Sequence, residues 1–251
     1  DRRQRQMCIR DSDWLVTLPL QQSIEKEIVE PDVTRLQLSS ASDPKLALGL
    51  RYGWRNWLAM LSSYRKNNNQ TTSITPCNDT QALALFDAFN EFCVLCALRE
   101  GPLGVIKLNA QIEQALGLGQ DTWYIGRPVM ITRNDYTLDL MNGDIGMCLP
   151  NSDGVLRVAF PATNGGVRWV MPTRLESVET VFAMTVHKSQ GSEFAHVLLV
   201  MPAIDSPVLT SELVYTGLTR AKNRLTIWAS NLNVLWDGCA RRVLRSGGLG
   251  D

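Results

Sequence analysis

Thr185-Val186-His187-Lys188-Ser189-Gln190-Gly191-Ser192-Glu193-Phe194 and, about twenty residues on, Tyr215-Thr216-Gly217-Leu218-Thr219-Arg220-Ala221-Lys222 decide how this chain is read. The first run places hydroxyl, imidazole and ammonium donors side by side at Thr185, His187, Lys188 and Ser189, a set suited to phosphate oxygens. Gly191 permits close backbone approach where a side chain would intrude, and Glu193 is an acceptor suited to a ribose hydroxyl. The second run ends in Arg220, whose planar fork of donors suits a phosphoryl group.

The surroundings of both runs read as α/β. Val197-Leu198-Leu199-Val200 is continuously apolar, as a strand buried on both faces of a parallel sheet must be. Further strands are expected at residues 92–98, 180–186, 196–201 and 224–229. Helices are expected at 105–115, 211–221 and 231–244, alternating with the strands. Residues 123–178 have a different texture. Short alternating segments such as Val155 to Phe160 and Val167 to Val170 are separated by Asn-Gly, Asp-Gly and Gly-Gly turns, which reads as a small antiparallel barrel inserted into the α/β domain. Arg127, Arg133 and Asn134 in this insert stand equally as contacts to DNA or a neighbouring subunit and as solvated turn residues.

Both runs resemble signature motifs of the second motor domain of superfamily 1 DNA helicases. Four stretches in order are similar to the alpha-subunit family of bacterial exodeoxyribonuclease V. They are Cys93 to Val105 with Leu108-Asn109 and Ile112-Glu113-Gln114, then Gly126 to Asp135 with Asn142 to Gly146 after it, and the two motifs themselves. The resemblance runs from about residue 79 onward. It implies a RecA-like parallel sheet at residues 92–122 and 179–251, with residues 123–178 as an inserted Src-homology-3-like barrel and 13–91 as a helical linking and packing region. It also implies an ATP-dependent 5′-to-3′ helicase acting in double-strand-break repair, cytoplasmic, assembled with beta and gamma subunits and working on single-stranded DNA. In that frame Thr185, His187, Lys188 and Ser189 grip the strand, Gly191 and Glu193 face the nucleotide, and Arg220 is an arginine finger that neutralises charge on the transferred phosphoryl group.

The frame also defines what the sequence lacks. No G-x-x-x-x-G-K-[ST] loop occurs, and no acidic motif for Mg²⁺ is recognisable, so ATP and Mg²⁺ would be held mainly by a preceding motor domain. No metal ligands are assigned. Two alternatives remain: a non-catalytic module that binds DNA or subunits, and the helicase part of a conjugative relaxase, which shares the His-Lys-Ser-Gln-Gly run. The stretch from Cys93 to Gln114 favours the recombination subunit. Read singly, His187 would be a satisfied core histidine and Arg220 a solvated helix end.

Composition adds exclusions. The 251 residues carry 25 basic and 25 acidic side chains, so no global basic field draws in nucleic acid, and local patches must do so. No apolar run reaches the length of a membrane span. Six cysteines at positions 8, 77, 93, 96, 148 and 239 form no disulfide framework. Cys93 and Cys96 form a CxxC, which reads as half a zinc site or as apolar strand residues. The second reading fits better, because the odd spacing puts the two thiols on opposite faces of a strand. Residues 1–12, basic and aperiodic, resemble translated sequencing-adapter read-through and are set aside. Residues 46–64 read as one amphipathic helix whose Trp54 and Trp57 suit a core more than a base-stacking surface. Residues 67–73 read as a polar loop, and Asp79 as the cap of a helix running through Phe89.

Overall fold

The computed structural model describes residues 33–36, 43–65, 75–119 and 121–242. The element order is β1 (Val33–Leu36), α1 (Pro44–Gly53), α2 (Arg55–Ser62), α3 (Asp79–Asn90), β2 (Phe92–Cys96), α4 (Val105–Leu116), β3 (Pro128–Ile131), β4 (Ile145–Pro150), β5 (Leu156–Pro161) and β6 (Val167–Val170). There follow β7 (Val178–Thr180), β8 (Ala183–Thr185), β9 (Phe194–Val200), α5 (Ser211–Leu218), β10 (Ala221–Trp228) and α6 (Leu232–Ala240), with 3-10 turns at Pro172–Arg174 and Val186–Ser189. The adapter-like residues 1–12 and the polar loop 67–73 lie outside the described residues.

One five-stranded sheet has the order β1-β10-β9-β2-β8. β1, β10 and β9 run parallel, with Val33 opposite Leu225 and Leu225 opposite Val197. All five residues of β2 are buried, as are Val197 to Val200 of β9, so the strands carry apolar side chains on both faces as a covered parallel sheet requires. The chain is therefore of α/β class. The second sheet has the order β6-β5-β4-β3-β7, and each neighbouring pair is antiparallel. Its core is built on Val129, Ile131, Leu138, Leu140, Cys148, Val158 and Phe160.

The described chain divides into two compact units, one from residues 1–45, 94–108 and 184–251 as far as they are described, the other from 46–93 and 109–183. In the second unit Trp54, Trp57, Phe89, Phe92 and Phe182 form one aromatic cluster with ring centroids 4.8 to 6.4 Å apart, mostly edge to face. Trp54 and Trp57 are fully buried in it, which makes them core residues and not a base-stacking surface. The helices that carry them also meet the antiparallel sheet. The Trp169 indole donates to the Asp79 carboxylate at 2.8 Å, and the Cys77 N–H to the Pro150 carbonyl at 2.9 Å.

Several expectations shift in detail. The single helix expected at 46–64 is two, α1 and α2, parted at Trp54. The break follows Gly53, a weak helix former, where a Cβ would lie 2.5 Å from the Phe92 ring. Apolar spacing stays nearly in phase across the break, so periodicity could not show it. The cap of α3 is Asn78 and not Asp79. The Asn78 side chain accepts from the Gln81 N–H, and the Gln81 side chain accepts from the Asn78 N–H, a reciprocal capping box. The strand expected at 180–186 is two short strands, β7 and β8, one in each sheet. The helix expected to reach 221 ends at Leu218, because β10 already starts at Ala221. Cys93 and Cys96 are buried within β2, and burial pushes the Cys96 thiol up to about 12, leaving a small apolar residue.

Candidate functional site

The first motif occupies the exit of β8 and the turn after it. Thr185 ends the strand, and its hydroxyl oxygen accepts from the Lys188 N–H at 3.3 Å, capping the 3-10 turn Val186–Ser189. The turn separates its side chains by burial. Val186 and Ser189 face inward, whereas His187 and Lys188 are exposed. His187 is thus a surface residue and not a core histidine. Ser189 has no exposed surface, and its hydroxyl donates to the Val186 carbonyl at 2.7 Å. That bond places Ser189 among the groups that hold the turn, so the exposed donors of this motif are those of His187 and Lys188, with Thr185 half-buried.

Gly191 has φ +86°, and an added Cβ there would meet nothing within 4 Å. Its glycine is required by the left-handed backbone, with open space beside it. Glu193 is exposed, and its carboxylate pairs with the Lys222 ammonium at 3.5 Å. Both side chains are more than half exposed, so the pair contributes little to stability and is easily exchanged for other partners.

The second motif begins on α5, which Thr210 caps by accepting from the Leu213 N–H at 3.3 Å. Arg220 sits in the two-residue joint between α5 and β10. Its Nε donates to the Thr216 carbonyl at 3.2 Å, one terminal nitrogen to the Ser192 carbonyl at 3.1 Å, and the other to the Thr219 hydroxyl oxygen at 3.3 Å. The bond to Ser192 ties the second motif to the first, and the Arg220 carbonyl accepts from the Phe194 N–H at 2.8 Å. Arg220 is thus a half-buried, oriented group and not a solvated helix end. A guanidinium has five N–H donors; three are committed, which leaves one on each terminal nitrogen for a two-point contact with an incoming oxyanion.

Known proteins match the same region. A sequence family described as the UvrD-like helicase C-terminal domain covers residues 180–228. Over 205 residues the chain is 41% identical to the RecBCD enzyme subunit RecD of Haemophilus influenzae, matching 78% of this chain and 30% of that protein. It is 43% identical over 173 residues to the RecBCD enzyme subunit RecD of Mycobacterium tuberculosis, with 67% and 29% covered. This is a RecD-like chain. It is also 36% identical over 138 residues to the ATP-dependent RecD2 DNA helicase of Deinococcus radiodurans, with 52% and 19% covered. The chain spans about a third of the length of the RecD proteins it matches.

Two residues of the RecD-like site escaped the sequence reading. Gly217 lies where a Cβ would come within 2.9 Å of a Leu199 methyl and 3.5 Å of a Val186 methyl. It lets α5 press against β9 and the strand-exit turn, and so brings the two motifs together. A glycine inside an otherwise apolar helical run was the available signal. Lys222 is the partner of Glu193, but nothing in the local spacing reveals a pair formed between β10 and the residue before β9. In the antiparallel sheet Arg127 is internally engaged, its Nε on the Thr180 hydroxyl at 3.1 Å and its guanidinium 4.8 Å above the Trp123 ring. Asn134 accepts from the Asn142 N–H at 2.8 Å, whereas Arg133 is exposed.

Proposed function

We propose that this chain is the second motor domain of a RecD-type ATP-dependent DNA helicase moving 5′ to 3′ on single-stranded DNA in double-strand-break repair. The observation that carries the reading is the joint between the motifs. Arg220 reaches from the end of α5 to the Ser192 carbonyl, so an exposed pair of phosphate donors, His187 and Lys188, is built into the same local structure as an oriented guanidinium. A translocating motor needs that coupling, because a strand grip must change when the nucleotide does.

The roles divide by exposure and bonding. His187 and Lys188, with Thr185 at their base, bind strand phosphates, and Ser189 holds the turn that presents them. Gly191 and Glu193 face the nucleotide edge, Glu193 exchanging Lys222 for a ribose hydroxyl. Arg220 offers its two remaining donors to the terminal phosphoryl oxygens. ATP with Mg²⁺ would supply the hydrolysis that drives stepping, held mainly by a phosphate-cradling loop that this sequence lacks. The antiparallel sheet is the Src-homology-3-like barrel of the resemblance, the partners are the beta and gamma subunits of exodeoxyribonuclease V, and the setting is the cytoplasm. A non-catalytic binding module draws support from the three bonds that Arg220 already makes.

Titration of the chain with a fluorescent oligothymidylate over a range of salt concentrations tests the grip. Lys188→Ala should weaken binding and flatten the salt dependence by roughly one counterion, while His187→Ala weakens binding with less change in slope. Unaltered affinity and slope in both variants would remove the strand-binding role.

A further inference from the structure

Residues 132–144, which join β3 to β4, carry a surface feature that the motifs do not use. At their tip stands Tyr136, 77% exposed, next to the exposed Arg133. A loop with a solvent-facing aromatic could be slack, but this one is bonded almost throughout. Asp135 and Leu140 exchange both main-chain hydrogen bonds, at 2.7 and 2.9 Å. The Asp135 carboxylate accepts from the Thr137 N–H at 3.0 Å, the Thr137 hydroxyl at 2.6 Å and the Leu138 N–H at 3.1 Å. Asn134 accepts from the Asn142 N–H, and Asp144 accepts from the Met141 N–H at 2.7 Å. Below the tip Leu138 and Leu140 are buried in the core of the antiparallel sheet. The Asn134 amide also donates to the Tyr136 hydroxyl at 3.3 Å, which biases the ring towards one orientation.

We propose that Tyr136 is a nucleobase-stacking platform for single-stranded nucleic acid, with Arg133 contacting an adjacent phosphate. The proposal deepens the strand-binding reading above and rests on it. A ring whose loop is already ordered gives up little conformational freedom when a base covers it, and any base offers a π-face. The chemistry around the ring favours a strand over a protein surface. Its sequence neighbours Arg133, Asn134, Thr137 and Asp139 are all polar and exposed, with Met141 the one other exposed large apolar side chain of residues 132–144, a setting more polar than the centre of a protein interface. The nearby carboxylates are also engaged. Asp139 pairs with the Arg168 guanidinium at 2.6 Å, which offsets its charge towards a phosphate. Arg174 adds a further positive charge near Asp135.

The test is equilibrium binding of the 251-residue chain to oligothymidylate and to a strand of equal length whose sugars carry no bases. Tyr136→Ala should weaken oligothymidylate binding about tenfold, while Tyr136→Phe retains most of the affinity because the stacking face survives. The salt slope should stay that of the parent protein, since no phosphate contact is lost, whereas Arg133→Ala should lower it. On the abasic strand the parent should bind as weakly as Tyr136→Ala does, and the substitution should make no further difference. Equal oligothymidylate affinity for parent and Tyr136→Ala would overturn the platform and leave the ring to a protein partner. A loss of the same size on the abasic strand, or a matching fall in melting temperature, would overturn it in favour of a phosphate contact or a structural role. Those results leave the motif assignment intact, whereas a parent protein that binds neither strand sinks both.

Discussion

In the parallel sheet, β9 buries Val197 to Val200 and its neighbours in sequence reach it through α5 and the strand-exit turn. In the antiparallel sheet, each neighbouring pair of strands β3 to β7 runs antiparallel, and exposed polar side chains such as Arg133, Asn134 and Asp139 lie in a joining turn. A segment covered on both faces, as Val197 to Val200 are, carries no exposed donor, so exposed polar groups fall at its ends. His187, Lys188, Gly191, Glu193 and Arg220 accordingly sit in two short runs at strand ends and joints. A sheet joined by turns has a polar site at every corner, so its exposed groups are scattered, and Arg127, Asn134 and Arg168 are already committed to holding turns. Dense, contiguous chemistry marks the first region; structural self-satisfaction marks the second.

The largest expected effect attacks the core on the antiparallel side. Trp54→Ala should cost about 3 to 5 kcal/mol, because a fully buried indole packed on four aromatic rings cannot be replaced by collapse. Denaturant melts would show it, and a loss below about 1 kcal/mol would mean that the cluster is not the centre of this unit. Next come two glycines with positive φ, one in each region. Gly126→Ala should cost about 3 kcal/mol, since its φ of +92° is strained for alanine and the Cβ would lie 2.3 Å from a Leu61 methyl. Gly191→Ala should cost about 1 kcal/mol, with open space beside it and only backbone strain to bear. Equal losses would erase the distinction between a glycine kept for packing and one kept for conformation. A smaller effect, about 1 kcal/mol, is expected for Trp169→Phe, which loses the bond to Asp79 while keeping most of the ring.

The smallest effect is pH-dependent. Donation from Thr137, above all its hydroxyl, and from the Leu138 N–H holds the Asp135 carboxyl below the usual carboxylate range. A depressed folded pKa means that the contribution is complete above the unfolded value, about 4, and is lost as pH falls through the folded one. Amide resonances of Thr137 and Leu138 should therefore hold steady from neutral pH to about 4 and move only below it. A midpoint at or above the ordinary aspartate value would show that the tip is less ordered than its hydrogen bonds indicate.

The legible part of the molecule follows from the same contrast. The strands β2 and β9 were readable because each holds an unbroken apolar run, Phe92 to Cys96 and Val197 to Val200. The proposed site could be picked out because its donors are adjacent in sequence. The capping residue of α3 was misplaced by one position, since Asn78 and Asp79 are both good caps and only the reciprocal bond with Gln81 separates them. The break at Trp54 was hidden because it barely disturbs the apolar phase. The inward turn of Ser189 and the pairing of Glu193 with Lys222 depend on backbone geometry that residue types do not encode. The three bonds made by Arg220 were equally hidden, and they show a braced guanidinium where the sequence suggested a free one.

The braced Arg220 is the group on which the proposed coupling turns. The direct measurement is DNA-stimulated ATP turnover of a longer helicase that supplies the preceding motor domain, comparing Arg220 with Arg220→Lys, alongside a thermal melt of the same preparations. Arg220→Lys keeps the charge but loses the planar fork, so turnover should fall on the order of a thousandfold while melting changes little. Unchanged turnover, or a drop in melting temperature that accounts for the loss, would contradict the account and leave Arg220 as the brace between α5 and Ser192 alone.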